Sequence, residues 1–387
     1  MTMKKTTAFL AFAGACALAV TGPATLAAPP SPADAHPATG ATASSLPVGD
    51  VDTALTSKSG QTSQPDQVTP TAEQDASAIV GIIVQLHEGS DRAASLASIN
   101  EAVASAFPGE SAQVQREYDK ALEGFALSAP AGSLDAIRAA SGVKGAFLER
   151  ETRVSDVDEV DAEGGTQAPR LSTQHPDNLS AQIMMRADQL TQKGEGKVVA
   201  VIDTGVEMTH PAFSGAMPST PALTADKVGA LTPQLGEGKQ GVYVSEKFPF
   251  AYDYADGDND AMPAKGSYGS HGTHVAGITA GNADQIVGVA PEAQIIVAKV
   301  SRSSDGEIPD SALLASLDDM VVLHPDVVNL SLGQLGGMDN EADSVYASVF
   351  KKLQDEGVSV NAAAGNHYSA GYGNTSGRNL PYASDPD

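Results

Sequence analysis

Apolar positions follow two different rhythms along this chain, and the rhythm changes near residue 179. Before it, Ala78–Leu86 (AIVGIIVQL) reads as a buried strand, and Asp91–Ala106 carries Leu96, Ile99, Val103 and then Phe107 at helical spacing. Val114–Tyr118 and Gly124–Leu127 read as further strands. Leu134, Ile137 and Val143 suit a short helix packed on a sheet, and Gly145–Glu149 closes with a last strand. The order βαββαβ predicts a small α+β domain of the ferredoxin-like, split βαβ pattern.

From residue 179 the runs lengthen and alternate in type. Leu179–Leu190 suits a first helix, and Lys197–Ile202 (KVVAVI) is an unbroken apolar strand, as in a parallel sheet covered on both faces. Ile286–Val289, Gln294–Val300, Asp326–Leu332 and Val358–Ala362 are further strands. Between them, Asp310–Leu323 places Leu313, Leu314, Leu317, Met320 and Val321 on one helical face, and Val345, Val349 and Leu353 mark another helix stopped at Gly357. Alternating strands and helices predict an α/β, doubly wound parallel sheet.

Composition adds compartment and boundaries. The chain has 387 residues and a formal charge of −25, which argues against a nucleic-acid partner. Lys4 and Lys5 precede a small-residue apolar run, Thr6–Val20, with cleavage signals ending at Ala27 or Ala35; residues 1–27 read as a signal peptide and the product as secreted. No later segment is long and apolar enough to span a membrane. The single cysteine, Cys16, lies in the apolar run and excludes a disulfide framework. Residues 28–77 read as a disordered linker and 154–178 as an acidic one. The second separates a domain over 78–153 from one over 179–387.

The candidate chemistry sits at strand ends and helix starts. Asp203 follows directly on KVVAVI, with Gly205 to turn the chain. His271 stands in GSHGTHVAGITAG, between small residues at the head of an apolar helix, where a general base could be held in reach of its proton. Aspartate, then histidine, then serine is one of the chain orders of a serine-protease triad. Read alone, an aspartate after a strand is as well explained as a turn former. Asp253, Asp256, Asp258 and Asp260 in DYADGDND alternate like a calcium loop but lack the full pattern, so a solvated acidic loop is preferred and a structural calcium is the alternative. His274 is expected to pack or hydrogen-bond structurally and His210 to serve a turn.

VVAVIDTGVEMTHP and SHGTHVAGITAG together resemble the aspartate and histidine motifs of the subtilase family of serine endopeptidases. VVNLSLG (Val327–Gly333) resembles that family's substrate-cleft strand, and NAAAGN (Asn361–Asn366) the segment ending in its oxyanion asparagine. The resemblance implies a polypeptide substrate, with His271 as general base, Asp203 orienting it and Asn366 as oxyanion donor. It implies that Ser331, Leu332 and Gly333 pair with substrate backbone and that Ala363, Ala364 and Gly365 wall the specificity pocket. No cofactor is required for that chemistry. Residues Glu117–Glu151 resemble the latter half of a subtilase propeptide, an intramolecular chaperone and inhibitor, which makes the chain's own propeptide a partner. The long insert between Asp203 and His271 resembles the lactocepin-like cell-envelope branch. The family's GTSMA-type nucleophile segment is missing. Ser376 stands too close to Asn366 and lacks the small apolar helix that should follow. The expectation is a catalytic domain cut short before its serine and inactive alone; the alternative is a non-catalytic pseudoenzyme or a propeptide-type inhibitor.

Overall fold

In the computed structural model, which describes residues 75–153, 179–264, 269–283, 286–333 and 340–363, the first apolar run forms β1 (Ile79–Leu86). Asp91 then starts α1 (Arg92–Ala106) by accepting a hydrogen bond from the Ala94 amide, the usual service of a short carboxylate at a helix head. β2 (Gln113–Asp119), β3 (Glu123–Pro130), α2 (Leu134–Arg138) and β4 (Val143–Leu148) follow. The sheet order is β2–β3–β1–β4 with every pairing antiparallel, the ferredoxin-like arrangement. Val143 belongs to β4 and not to the helix: α2 closes after Arg138, and a turn at Ala140 leads straight into the strand. The period of two along β1 divides its side chains. Ile82, Val84 and Leu86 pack with Ile99, Val103 and Ile137 of the two helices. Ile83, with Tyr118, Ala126 and Phe147, joins a different core on the other face.

That second core belongs to the α/β part. β5 (Glu151–Arg153) and α3 (Leu179–Met184) precede β6 (Val198–Asp203), α4 (Ala225–Leu231), β7 (Phe250–Asp253) and α5 (Ser270–Ala280). A two-rung pair, β8 (Asn282–Ala283) with β9 (Ile286–Val287), leads to β10 (Gln294–Lys299), β11 (Glu307–Pro309), α6 (Asp310–Leu323), β12 (Val327–Leu330), α7 (Asn340–Asp355) and β13 (Ser359–Ala362). Five strands form one parallel sheet in the order β13–β12–β6–β10–β7. α5 covers one face of it, and α6 and α7 cover the other. The first helix is shorter than its apolar pattern suggests, because Arg186 adopts φ of 59° and only one 3₁₀ turn follows. β7 was not anticipated; its four residues stand in a stretch dominated by acidic signals.

α6 lies between the two sheets, which is why it is buried nearly all round. Three carboxylates go under with it, each satisfied. Asp318 accepts from the amides of Asp119, Lys120, Ala121 and Leu122 at the β2–β3 turn. Asp319 accepts from Gly236, Gly238 and the Tyr254 hydroxyl, and Asp310 from Arg150 and the Tyr346 hydroxyl. Buried polar groups persist when so bonded. β5 leaves the small sheet and pairs antiparallel with β11. The expected signal peptide over 1–27, the part of the expected linker before residue 75, the expected acidic linker over 154–178, and Ala364, Gly365, Asn366, His367 and Ser376 lie outside the described residues.

Candidate active site

Strand parity decides which face Asp203 joins. Val198, Ala200 and Ile202 belong to the core under α6, while Val199 and Val201 belong to the core under α5. The two-residue period assigns Asp203 to the α5 side, at the carboxyl end of the central strand. The chain turns there at Gly205, whose φ of +98° and close approach to the Ala261 carbonyl exclude a side chain. α5 comes in against this turn. A Cβ at Gly272 would meet the Gly205 carbonyl oxygen at 2.3 Å and Asp203 Oδ1 at 3.1 Å, so the helix lies as close as it does only because residue 272 is glycine.

The close approach puts His271 Nδ1 2.8 Å from Asp203 Oδ1. An ionised carboxylate only accepts, so Nδ1–H donates and the neutral ring keeps its lone pair on Nε2. Asp203 is 1% exposed and the His271 side chain 22% exposed: the carboxylate is sealed beneath, and the ring reaches solvent. Burial by itself pushes the imidazolium down, but the hydrogen bond and charge of Asp203 outweigh it, and the His271 pKa rises above its ordinary 6.5. Thr204 fixes the geometry from both sides. Its amide donates to Asp203 Oδ1 at 2.7 Å, and its hydroxyl accepts from the Gly272 amide at 3.0 Å and donates to the Gly269 carbonyl. The Thr273 hydroxyl adds a bond from the Glu207 amide. Asp203 Oδ2 is buried and meets no hydrogen-bond donor among the described residues, so the His271 ring and the Thr204 amide, both on Oδ1, are the contacts that hold this carboxylate. The pair can therefore take a proton at Nε2 and stabilise the imidazolium that results.

The other anticipated residues fall in part on the same edge. Ser331, Leu332 and Gly333 continue from the carboxyl end of β12, half-buried, with Asn329 donating to the Ser331 hydroxyl. Ala363 follows β13, and its amide donates to the Leu330 carbonyl. Since β12 neighbours β6, this edge is continuous with Asp203. Ala364, Gly365 and Asn366 lie outside the described residues. His274 is exposed rather than packed, on the far side of α5 from the core, and His210 caps a short turn by accepting from the Ala212 amide.

Two lysines escaped the sequence reading. Lys299, fully buried at the carboxyl end of β10, pairs with buried Asp253, stands 3.5 Å from Asp256, and bonds the Ser303 hydroxyl at 2.6 Å. The DYADGDND stretch is thus only partly the solvated loop expected: Asp258 and Asp260 are exposed, whereas Asp253 is buried against an ammonium. The available signal was the AKV ending of an otherwise apolar strand. Lys247 is also buried and donates to the carbonyls of Pro291 and Ala293. Among the described residues no group of His, Cys, Asp and Glu is placed to hold a metal ion, and no helix is long and apolar enough to cross a membrane.

Comparison with known proteins bears on this geometry. The model of the subtilase family matches residues 194–384. The PI-type proteinase of Lactococcus lactis subsp. cremoris is 31% identical over 245 residues, covering 60% of this chain and 13% of that protein. The minor extracellular protease Vpr of Bacillus subtilis is 28% identical over 259 residues, 66% of this chain and 28% of Vpr. A C5a peptidase of Streptococcus pyogenes is 29% identical over 237 residues, 57% of this chain and 19% of that peptidase. The chain thus spans between 13% and 28% of the length of these relatives.

Proposed function

We propose, from the match of residues 194–384 to the subtilase family, that this chain belongs to that family and carries the base half of a secreted serine endopeptidase site. The observation that carries the reading is the 2.8 Å contact between Asp203 and His271. His271 takes the nucleophile's proton at Nε2 and returns it to the leaving amine. Asp203 holds the tautomer and stabilises the imidazolium. Asn366 donates its side-chain amide to the oxyanion, as a preorganised donor where charge develops. Ser331, Leu332 and Gly333 pair with an extended substrate backbone, and Ala363, Ala364 and Gly365 wall the pocket for its principal side chain. All these groups belong to the protein itself, so the chemistry asks for no cofactor.

Residues 78–153 act on this reading as propeptide, chaperone and inhibitor. Support comes from the face of the small sheet packed against α6, from the four amides held by Asp318, and from β5 lying on β11. The relatives' printed names, proteinase and extracellular protease, favour export and peptide substrates.

No segment of residues 1–387 matches the family's nucleophile motif, so a polypeptide of these residues alone is expected to hydrolyse no peptide bond and to take no fluorophosphonate label. Fusing residues 1–387 to a segment that carries the family's nucleophile motif is expected to give labelling and peptidase activity, both lost on His271→Ala. Labelling of the 387-residue polypeptide that disappears on Ser376→Ala, or activity of the fusion indifferent to His271→Ala, would overturn this assignment.

A further inference from the structure

β11 is a three-residue edge, and its partner is not a neighbouring strand of the parallel sheet but β5, an extended tail. In the register, Glu151 faces Pro309, Thr152 faces Ile308 and Arg153 faces Glu307. Asp310 N bonds to Arg150 O while Glu307 O turns back to Arg302 N, so the Glu151–Pro309 rung is a non-hydrogen-bonded pair of the ladder, and what marks the Glu151 position is a side-chain contact. That contact is Arg302. The loop from β10 to β11 closes by Arg302 N to Glu307 O and Gly306 N to Arg302 O. Within it Asp305 grips the guanidinium by two bonds, Nε to Oδ1 and Nη2 to Oδ2, both 3.1 Å. Nη1 then reaches Glu151 Oε1 at 2.6 Å. The loop is itself anchored, with Ser303 bonded to the buried ammonium of Lys299 and to Asp256. A two-point grip leaves the fork oriented before any strand arrives, which lowers the ordering cost of the third contact.

We propose that Arg302 is a specificity-determining residue that selects an acidic side chain in an extended polypeptide paired on β11, with Glu151 as its built-in occupant. The inference rests on the proteolytic reading of the site. Strand addition supplies affinity through the main chain whatever the sequence; the side-chain contact supplies the choice. The charge setting favours such a device. In a chain with 48 acidic and 23 basic side chains, an acidic peptide is repelled in general, so one held guanidinium fixes where its carboxylate is tolerated, and thereby its register.

The test uses the full chain carrying Thr152→Pro, which weakens β5 at its centre and leaves Arg302 in place. Fluorescent decapeptides copying residues 147–156, with Glu, Gln or Lys at the position of Glu151, are titrated by anisotropy. The Glu peptide is expected to bind about fivefold tighter than the Lys peptide, with Gln between, the scale of a partly exposed ion pair. Adding Arg302→Glu is expected to reverse the order. In the chain without the proline, Glu151→Lys is expected to speed amide exchange of β5 and β11 severalfold, and Glu151→Lys with Arg302→Glu to restore it. Peptides that bind equally whatever the charge, in both backgrounds, overturn the role of Arg302 and leave the proteolytic reading standing. Peptides that fail to bind at all overturn the cleft reading and this inference with it.

Discussion

Adding one methyl group to α5 at Gly272→Ala is the sharpest perturbation of the candidate site, because it touches neither functional side chain. The new Cβ would stand 2.3 Å from the Gly205 carbonyl oxygen. Ordinary contact begins ~1 Å farther out, and the obstacle is backbone, which cannot rotate away. α5 must therefore withdraw by a comparable distance. The Gly272 amide bond to Thr204, now 3.0 Å, and the His271–Asp203 bond, now 2.8 Å, would both pass out of hydrogen-bond range. Overpacking of this kind costs about 1–3 kcal/mol. At roughly 2–4 °C per kcal/mol for a domain of this size, the melting temperature should fall by about 2–12 °C. The second readout is specific to the site. Once the carboxylate no longer outweighs burial, the His271 pKa should drop from its raised position to below 6.5, as followed by NMR titration of the ring protons. A Gly272→Ala chain with an unchanged melting temperature and an unchanged His271 titration would refute the claim that glycine at this position holds the pair together.

Three further outcomes follow from the same structure. Asp203→Asn should lower the His271 pKa below 6.5 by removing both upward influences, and it should abolish a pH-dependent part of the stability: with the folded pKa raised, that part is full below about 6.5 and is lost as pH climbs through the folded value. Chemical denaturation at several pH values, showing no difference in pH slope between Asp203→Asn and the parent, would count against it. Asp318→Ala strips four amides at the β2–β3 turn of their acceptor and should cost about 1–3 kcal/mol, seen as faster limited proteolysis at residues 119–122; equal cleavage rates would contradict it. Lys247, pushed down by burial to about 7 from 10.5, binds its proton more weakly folded than unfolded, so stability relative to Lys247→Met should rise as pH increases from 7 toward 10, and a flat difference in melting temperature over that range would sink the assignment.

The local pattern carried a good deal. The unbroken run KVVAVI, the period of α6 and the glycines around His271 are short-range signals, and each specified an element whose bounds the structure reproduces closely, Asp310–Leu323 residue for residue. The subtilase-like motifs lie in those same stretches, which is why the resemblance could be read from the sequence. Val143, Arg186 and β7 went astray for a common reason: their state depends on a turn or a neighbouring strand, and apolar periodicity is silent about both.

The sequence by itself determined that Asp203 ends a buried strand and that His271 opens a helix. It also carried the parity that sends Asp203 to one face, since that follows from a period of two. Only the tertiary structure decided which helix covers that face, and so that these two residues, 68 positions apart, meet at 2.8 Å. The same holds for Lys299 beside Asp253, for Asp318 under the β2–β3 turn and for Arg302 over Glu151. Each is a contact between segments far apart in the chain, and pairings of that range are set by packing and burial of the whole, which no local pattern encodes.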